Sequence, residues 1–300
     1  MAEPKPAFQD LLSAHQSGHA LAQSFYTNSD VFGHDVDEVF YKDWHLAGHI
    51  SELALPGDYF LFEMLQESVI INRDDLGQIH GLANVCRHRG SRVCIEPRGN
   101  TKRFTCPYHA WAYNLDGSLF NARHLPPEID RTKLGLRPIA THVFHGFIFV
   151  SFAQDPTSFA ALHRDLDPIL IPFGLARTKI AHRMVYPVKA NWKLLVENYN
   201  ECYHCATAHP EFSRSHPTHM PPDRVAPMNE AMQVRSTACG IRTDYIDAIG
   251  SARPDHAPDY AYNRYSLYEG YKTGSQTGSA LAQLLGDIKG YDGGASDLYV

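Results

Sequence analysis

The sequence predicts an α+β fold, in which a small antiparallel β domain is followed by a second domain that opens with helices. Three observations carry this prediction. From about residue 45 to 152, short apolar strands alternate with turns; residues 153–160 are polar and contain a proline; and residues 191–210 form a helix candidate without internal glycine or proline. A chain of 300 residues is long enough for about two such domains.

The expected elements follow in chain order. Residues 7–16 are weakly helical, and a second helix is expected from Asp30 to Lys42, with Asp30 as its cap. β structure begins at Trp44, with strands at Asp58–Leu65, Ser68–Asn72, Ile79–Val85, Phe104–Thr105 and Phe144–Phe152, the last interrupted by Gly146. A turn is expected at Asn114–Gly117. Beyond the boundary we expect a helix at Phe159–Leu170, a strand at Ala181–Val188, a helix capped by Asn191, and irregular chain after Pro210.

Composition excludes some classes of function. The chain is 44% hydrophobic and 20% charged, which is typical of globular proteins, and its net charge of −6 disfavours general nucleic-acid binding. The sequence contains no apolar run of 18 or more residues, so no membrane partner is expected. Residues 1–10 lack the apolar centre of a signal peptide, and a cytoplasmic location is therefore the expectation.

Two pairs of cysteine and histidine lie in the β domain, as Cys86-x-His88 and Cys106-x-x-His109. Two thiolates and two imidazoles can hold either a zinc ion or a two-iron, two-sulfur cluster. Zinc modules usually separate paired ligands by two to five residues, whereas the first pair here has one intervening residue. This spacing favours a Rieske centre, in which one iron has two cysteines and the other two histidines. Such a cluster transfers single electrons.

The other cysteines do not indicate a disulfide framework, because the chain lacks the signs of secretion. Six cysteines are present, and Cys202-x-x-Cys205 has the spacing of a redox or zinc pair. The preferred interpretation is two small apolar residues on one face of a helix.

A second metal site is indicated on the long helix candidate. Asn198, Glu201 and His204 or Cys205 recur at spacings that share one helix face, although a solvated polar face would look the same. His204 and His209 would lie about 140° apart on an ideal helix. They can meet one ion only if the helix ends between them, and Pro210 disfavours helical torsions at His209. Two histidines with one carboxylate form the facial triad of non-haem Fe(II) oxygenases.

The two motifs together resemble the catalytic α subunits of Rieske non-haem iron oxygenases, the ring-hydroxylating oxygenase superfamily. The first motif includes Arg87, Arg89, Gly90, Pro107, Tyr108 and Trp111 beside the four ligands, and the second includes Asn-Trp-Lys, Glu-Asn and Tyr-His-x4-His. The resemblance implies an antiparallel β Rieske [2Fe-2S] domain followed by a helix-grip catalytic domain. We expect N-terminal helices at 1–44 packing on the catalytic domain, the Rieske domain at 45–155 and the catalytic domain at 156–300.

The resemblance also implies roles for individual residues. Cys86, His88, Cys106 and His109 match the cluster ligands, and His204 and His209 match ligands of the mononuclear Fe(II). Glu201 stands where the family usually has the aspartate that bridges the cluster of one subunit to the iron of its neighbour, and Asn198 matches a polar residue near the iron. The family's third ligand is an aspartate further along. Asp287, Asp292 and Asp297 do not fit its context, so we expect that ligand, and the rest of the domain, beyond Val300.

The resemblance implies an oxygenase that takes electrons from an NAD(P)H-dependent flavin and [2Fe-2S] reductase and uses O₂ on a small-molecule substrate. Glu201 and the run Arg89–Cys94 resemble the branch that acts on quaternary ammonium compounds, namely glycine betaine, carnitine, stachydrine and choline. We therefore expect hydroxylation with N-demethylation, or hydroxylation of a nearby carbon, by a homotrimer or larger homo-oligomer. The alternatives are ring hydroxylation of an aromatic substrate and a simple electron carrier.

A quaternary ammonium group cannot donate a hydrogen bond and is usually held by aromatic faces. Tyr203, Phe212 and the run Tyr260–Tyr271 are candidate sources of such faces. For any one of these side chains, an ordinary place in the core or on the surface is the preferred interpretation.

Overall fold

The computed structural model describes residues 8–200, 204–238, 263–264, 266–271 and 298–299. The chain is divided into two compact units. The first comprises Met1–Ser158 with Leu175–Val185, and the second comprises Phe159–Gly174 with Tyr186–Val300. The segment Leu175–Val185 thus belongs to the first unit although it follows the first helix of the second.

A seven-stranded antiparallel sheet dominates the first unit. Its spatial order is β1-β10-β9-β4-β3-β2-β5. The strands are β1 (His45–His49), β2 (Asp58–Met64), β3 (Glu67–Arg73), β4 (Ile79–Ala83), β5 (Arg98–Asn100), β9 (Pro138–Phe144) and β10 (Phe147–Ser151). The predicted strands before residue 84 are confirmed to within two residues, and the interruption expected at Gly146 within Phe144–Phe152 is also confirmed. His145 and Gly146, both with positive φ, form the turn between β9 and β10.

The sheet is buried on both faces at its centre. On β3, Ile70 packs into one apolar cluster while Val69 and Ile71 pack into another, as the two-residue period of a strand requires. All three side chains are fully buried. The Ile70 side also contains Cys86, Cys106 and the aromatic residues that follow them, so this half of the core supports the ligand loops.

A three-stranded sheet, β6-β7-β8, adjoins that half of the core. Its strands are β6 (Phe104–Thr105), β7 (Ala112–Tyr113) and β8 (Leu119–Asn121). The turn predicted at Asn114–Gly117 is confirmed, because the Asn114 amide bonds the Ser118 carbonyl and Gly117 has a φ of 87°. The loop between β6 and β7 carries Cys106 and His109.

The segment Leu175–Val185 packs against β1 and the turn before β10. His49 Nε2 lies 3.2 Å from the Leu175 carbonyl oxygen, and the Arg183 guanidinium lies 3.1 Å from both carboxylate oxygens of Glu52. A Cβ atom on Gly146 would come within 2.7 Å of the Ala176 Cα atom. This close packing explains why the segment is part of the first unit.

Three short helices precede the sheet: α1 (Phe8–Ala14), α2 (Ser24–Thr27) and α3 (Ser29–Asp35), the last continued by a π-helical turn at Val36–Phe40. The predicted cap was wrong by two residues, because the Asn28 side chain accepts the Asp30 amide hydrogen. An amide oxygen one residue ahead of the helix can reach this free N–H group, whereas Asp30 lies within the first turn.

Helices make up most of the described part of the second unit. They are α4 (Ala160–Leu170), α5 (Trp192–Asn200), α6 (Cys205–Ala208), α7 (Pro210–Ser215) and α8 (Pro222–Ala238). A two-residue strand pair, β11 (Asn263–Arg264) with β12 (Leu298–Tyr299), completes it. The N-cap at Asn191 is confirmed, since its side chain accepts the Lys193 amide hydrogen at 3.0 Å.

Two predictions for this region were wrong. Residues 181–188 form no strand, because they pair with no other strand in the described part of the chain; Val185 is 81% exposed. The chain after Pro210 is helical rather than irregular. Proline at the first position of α7 and of α8 loses no hydrogen bond there and already has a helical φ, so these prolines begin helices instead of preventing them.

Among the described residues, no helix is long and apolar enough to cross a membrane.

We predict that Gly146→Ala destabilises the first unit by roughly 2–4 kcal/mol, combining left-handed strain with overpacking against Ala176. Gly18→Ala is the matched control, because Gly18 has φ 80° with open space around its Cβ position. It should cost about 1 kcal/mol. Denaturant unfolding followed by tyrosine and tryptophan fluorescence measures both. Equal costs would contradict the packing of Leu175–Val185 on this turn.

Candidate metal centres

The two ligand loops of the β domain have the same backbone form. In the first, the Gly90 amide bonds the Cys86 carbonyl and the Cys86 amide bonds the Ser91 carbonyl. In the second, the Ala110 amide bonds the Cys106 carbonyl and the Cys106 amide bonds the Trp111 carbonyl. Gly90 (φ 73°) and Ala110 (φ 58°) both adopt the left-handed conformation four residues after the cysteine. The shared form gives Cys86 and Cys106 equivalent positions in their two loops.

The four candidate ligands differ in burial: the two cysteines are buried and the two histidines are exposed. Cys86 is 3% exposed and Cys106 is 2% exposed, whereas His88 and His109 lie on the surface. The two imidazole rings are 4.7 Å apart between centroids, and Cys86 and Cys106 lie in the same buried cluster. A paired set of buried thiols and exposed imidazoles fits a cluster whose inner iron takes sulfur ligands and whose outer iron takes nitrogen ligands.

Aromatic side chains pack against the imidazole rings of His88 and His109. The His88 ring stacks on Trp111 at 5.0 Å between centroids with the planes 8° apart, and Tyr108 lies 3.8 Å from His109. Desolvation, together with the positive charges of His109 and Arg89, lowers the pKa of His88. A lower pKa favours the neutral imidazole, which is the form that coordinates metal.

The sulfur atoms receive several hydrogen bonds. The Tyr113 hydroxyl lies 3.2 Å from Cys86 Sγ and also accepts the Arg87 amide hydrogen at 3.1 Å. Burial raises the pKa of the Cys86 thiol. Burial also acts to raise the pKa of Cys106, but hydrogen bonds from the Tyr108 amide, from Cys86 and from the His109 amide outweigh it and lower that pKa. Such bonds stabilise thiolates and raise a cluster's reduction potential.

Sequence reasoning missed Tyr113. Trp111 and Tyr113 are separated by one residue at the start of β7, so both side chains point to the same side of the strand, toward the core. This alternation was the available signal. Cys94, also near the ligand loops, is a buried thiol whose pKa burial raises to about 12, so it is protonated.

A second pair of imidazoles meets in the second unit. His204 precedes α6 and His209 follows it, so the four-residue helix separates them. His209 has φ −127° and ψ 64°, outside the helical region, and Pro210 begins the next helix. The predicted end of the helix between the two histidines is thus confirmed, and its cause is the proline.

The geometry of this pair suits one metal ion. His204 Nε2 and His209 Nε2 lie 3.2 Å apart. Two nitrogens each about 2.1 Å from an ion and about 90° apart would be separated by about 3.0 Å. The Ser213 hydroxyl donates to the Cys205 carbonyl oxygen at 2.9 Å and fixes α7 against α6, which carries the pair. These donors fit two of the three protein ligands of a non-haem iron site.

The structure describes only some of the other residues predicted for the two sites. Asn198 lies on the exposed side of α5 and makes no side-chain hydrogen bond to another described residue. Glu201, Cys202, Tyr203, Asp287, Asp292 and Asp297 lie outside the described residues, as do Tyr260, Tyr262 and Tyr265. Within the described part of the chain, no group of three His, Cys, Asp or Glu side chains could hold one ion. The Phe212 ring stacks on His216 at 4.1 Å between centroids.

Comparison with known families accounts for both centres. Residues 43–140 match the Rieske [2Fe-2S] domain, and residues 175–275 match the catalytic domain of the ring hydroxylating alpha subunit. The chain is 38% identical over 216 residues to the glycine betaine monooxygenase oxygenase subunit of Chromohalobacter salexigens, covering 72% of this chain and 48% of that protein. The chain spans about half the length of the curated relatives it matches.

Solved structures are also similar to this chain. The crystal structure of the quaternary ammonium Rieske monooxygenase CntA in complex with its substrate L-carnitine matches with a TM-score of 0.58 and 36% identity, over 63% of this chain and 55% of that one. Naphthalene 1,2-dioxygenase from Rhodococcus sp., bound to indole, matches with a TM-score of 0.59 and 27% identity, over 74% of this chain and 52% of that one.

These matches confirm the expected fold class, in which the β domain and the domain that follows it are the two domains of one family, and they support both expected cofactors, the [2Fe-2S] cluster and a mononuclear iron. The chain belongs to the Rieske non-haem iron oxygenases, as part of a catalytic α subunit.

Proposed function

We propose that this chain is the greater part of the electron-transfer and metal-binding machinery of a terminal oxygenase that hydroxylates, and thereby N-demethylates, a quaternary ammonium compound. The observation that carries the proposal is the 3.2 Å approach of His204 Nε2 to His209 Nε2 in a chain that also pairs Cys86 with Cys106 and His88 with His109. A simple electron carrier would need only the cysteine and histidine pairs of the β domain, and not the approach of His204 to His209.

The proposed division of labour assigns a task to each set of residues. When bound, the cluster supplies one-electron transfer and the mononuclear Fe(II) supplies activation of O₂. The buried Cys86 and Cys106 thiolates and the exposed His88 and His109 imidazoles would hold the cluster. His204 and His209 would hold the Fe(II) together with a third ligand.

The proposed partners follow the family. An NAD(P)H-dependent reductase containing flavin and a [2Fe-2S] cluster supplies the electrons, and the protein is a homotrimer or larger homo-oligomer. Asn198 is proposed as a polar residue near the iron. The domain boundaries at residues 44 and 155 and the cytoplasmic location remain predictions from the sequence.

The substrate class rests on the relatives. The similar protein from C. salexigens is named for glycine betaine, and the CntA structure contains L-carnitine. Both compounds carry a trimethylammonium group and a carboxylate, so aromatic faces together with a cation would suit them. The similarity to naphthalene 1,2-dioxygenase favours ring hydroxylation as the second candidate.

A substrate panel tests this choice. With a surrogate reductase and NADH, the protein that contains this chain should release formaldehyde and consume O₂ with glycine betaine, carnitine or stachydrine, or consume O₂ with choline. The variant His204→Ala is the control, because it should retain a reducible cluster and lose turnover. Turnover of naphthalene or benzoate, with no turnover of the four ammonium compounds, would contradict the proposed substrate class.

We predict that Glu201→Gln retains cluster, mononuclear iron and substrate binding but loses nearly all turnover, since an amide cannot hold two imidazoles in the same tautomers as a bridging carboxylate. Glu201→Asp should keep part of the activity. Stopped-flow absorbance should show a cluster that the reductase reduces normally but that is not reoxidised by substrate and O₂. Loss of mononuclear iron in the Gln variant would instead make Glu201 a ligand or a structural residue.

We predict that Tyr113→Phe lowers the reduction potential of the cluster by roughly 50 mV, the one-electron equivalent of about 1 kcal/mol, because Cys86 Sγ loses a hydrogen bond. Tyr59→Phe is the control, as Tyr59 packs on the same core beside Phe104 without a bond to either cysteine. Dye-mediated titration followed by EPR measures both. An unchanged potential in Tyr113→Phe would remove Tyr113 from the cluster site.

A further inference from the structure

Strands hold the first ligand loop less completely than they hold the second. The second loop lies between the paired strands β6 and β7, which fix both of its ends. The first loop leaves β4 at Ala83, and the chain rejoins the sheet only at β5 (Arg98–Asn100), after residues 92–97, which belong to no strand. A loop whose second end is not itself held by a neighbouring strand needs another constraint if Cys86 and His88 are to keep one position.

The Asn84 side chain supplies such a constraint. Its Oδ1 atom accepts the Val93 amide hydrogen at 3.0 Å and the Cys94 amide hydrogen at 2.8 Å. Its Nδ2 atom donates to the Cys94 carbonyl oxygen at 2.8 Å and to Ser68 Oγ at 3.1 Å. All four hydrogen-bonding positions of the amide are therefore used, and the residue is completely buried.

These bonds close the loop at its base. Asn84 precedes Cys86 by two residues, and Val93 and Cys94 follow Ser91 by two and three residues. The Asn84 backbone amide also bonds the Ser68 carbonyl of β3 at 2.9 Å. One side chain thus joins the start of the loop, its end and strand β3 of the sheet, in surroundings where an unmade hydrogen bond is costly.

We propose that Asn84 is a positioning residue of the cluster, which holds the loop bearing Cys86 and His88 in the conformation that places both ligands. The inference deepens the proposed function, since it requires that this loop hold a cluster. It does not require that the protein turn over any substrate. Asn84 acts through the loop, and its side chain makes no hydrogen bond to either ligand's side chain among the described residues.

The proposal links Asn84 to the electronic properties of the cluster. Cys86 Sγ interacts with the Tyr113 hydroxyl and receives a hydrogen bond from the His88 amide, which belongs to the same loop. If the base of the loop opens, both bonds lengthen, and the reduction potential falls because the thiolate is less stabilised. The effect of Asn84 on the potential should therefore pass through Tyr113.

The test uses Asn84→Leu, which keeps approximately the same side-chain volume and removes all four hydrogen bonds. Hydrogen exchange of the cluster-loaded protein, followed by mass spectrometry, should show amides of residues 85–94 exchanging at least tenfold faster. The cluster's EPR signal should broaden and its potential should fall. Ser68→Ala, which removes one of the four bonds, should change all three readings in the same direction by less, and it serves if Asn84→Leu does not fold.

Asn72→Leu is the matched control. Asn72 is equally buried on the neighbouring part of β3, but its amide bonds the Leu115 carbonyl at 2.9 Å and not the first loop. This variant should lose stability while leaving the exchange of residues 85–94 and the EPR signal unchanged.

A double variant separates positioning from general destabilisation. If Asn84 acts through the Cys86–Tyr113 bond, the potentials of Asn84→Leu and Tyr113→Phe should fall by less in combination than the sum of the two single changes. If the falls in reduction potential were additive, Asn84 would not act through the Cys86–Tyr113 bond. The proposal itself would be overturned if Asn84→Leu lost stability, as Asn72→Leu does, but kept the loop exchange, the EPR signal and the reduction potential of the parent. A protein that binds no cluster at all would instead overturn the proposed function.

Discussion

The Tyr113 hydroxyl joins the two ligand loops, and the arrangement of the cluster site depends on that contact. It interacts with Cys86 Sγ and accepts the Arg87 amide hydrogen, although Tyr113 itself follows the second loop. Because each loop is closed by its own pair of backbone hydrogen bonds, each is a preformed unit, and a single buried side chain is enough to align them. The alignment keeps the Cys86 and Cys106 thiols in the core and the His88 and His109 imidazoles at the surface.

The pair of imidazoles in the second unit depends on a different constraint. An unbroken helix would hold His204 and His209 apart, and Pro210 ends that helix at the residue where the chain must turn back. The Ser213 hydroxyl then bonds the Cys205 carbonyl, which already accepts the His209 amide hydrogen. In both units, then, backbone geometry sets the positions of the candidate ligands, and buried polar side chains keep neighbouring segments together.

Much of this could be predicted from the sequence, because the decisive signals were local. Ligand spacing indicated the cluster, and the proline after His209 indicated the end of the helix. Asn84 could not be assigned in this way, since its side-chain partners lie nine to 16 residues away in the chain. Tyr113 offered only its alternation with Trp111, because the partners of its hydroxyl lie 26 and 27 residues away. Ala181–Val188 failed as a strand for a related reason: β-branched composition favours extended chain, but only a neighbouring strand makes it a sheet. The prolines at 210 and 222 were misinterpreted because their effect depends on whether they begin a helix or interrupt one.

The central claim is that one chain holds a Rieske cluster and, separately, a mononuclear iron on His204 and His209. Mössbauer spectroscopy of the ⁵⁷Fe-loaded protein that contains this chain tests it most directly, when compared with its His209→Ala variant. The account predicts the two iron signals of the cluster in both proteins, and a separate high-spin Fe(II) signal that only the parent shows. A parent spectrum with cluster iron alone, or a third iron that survives in the variant, would contradict it.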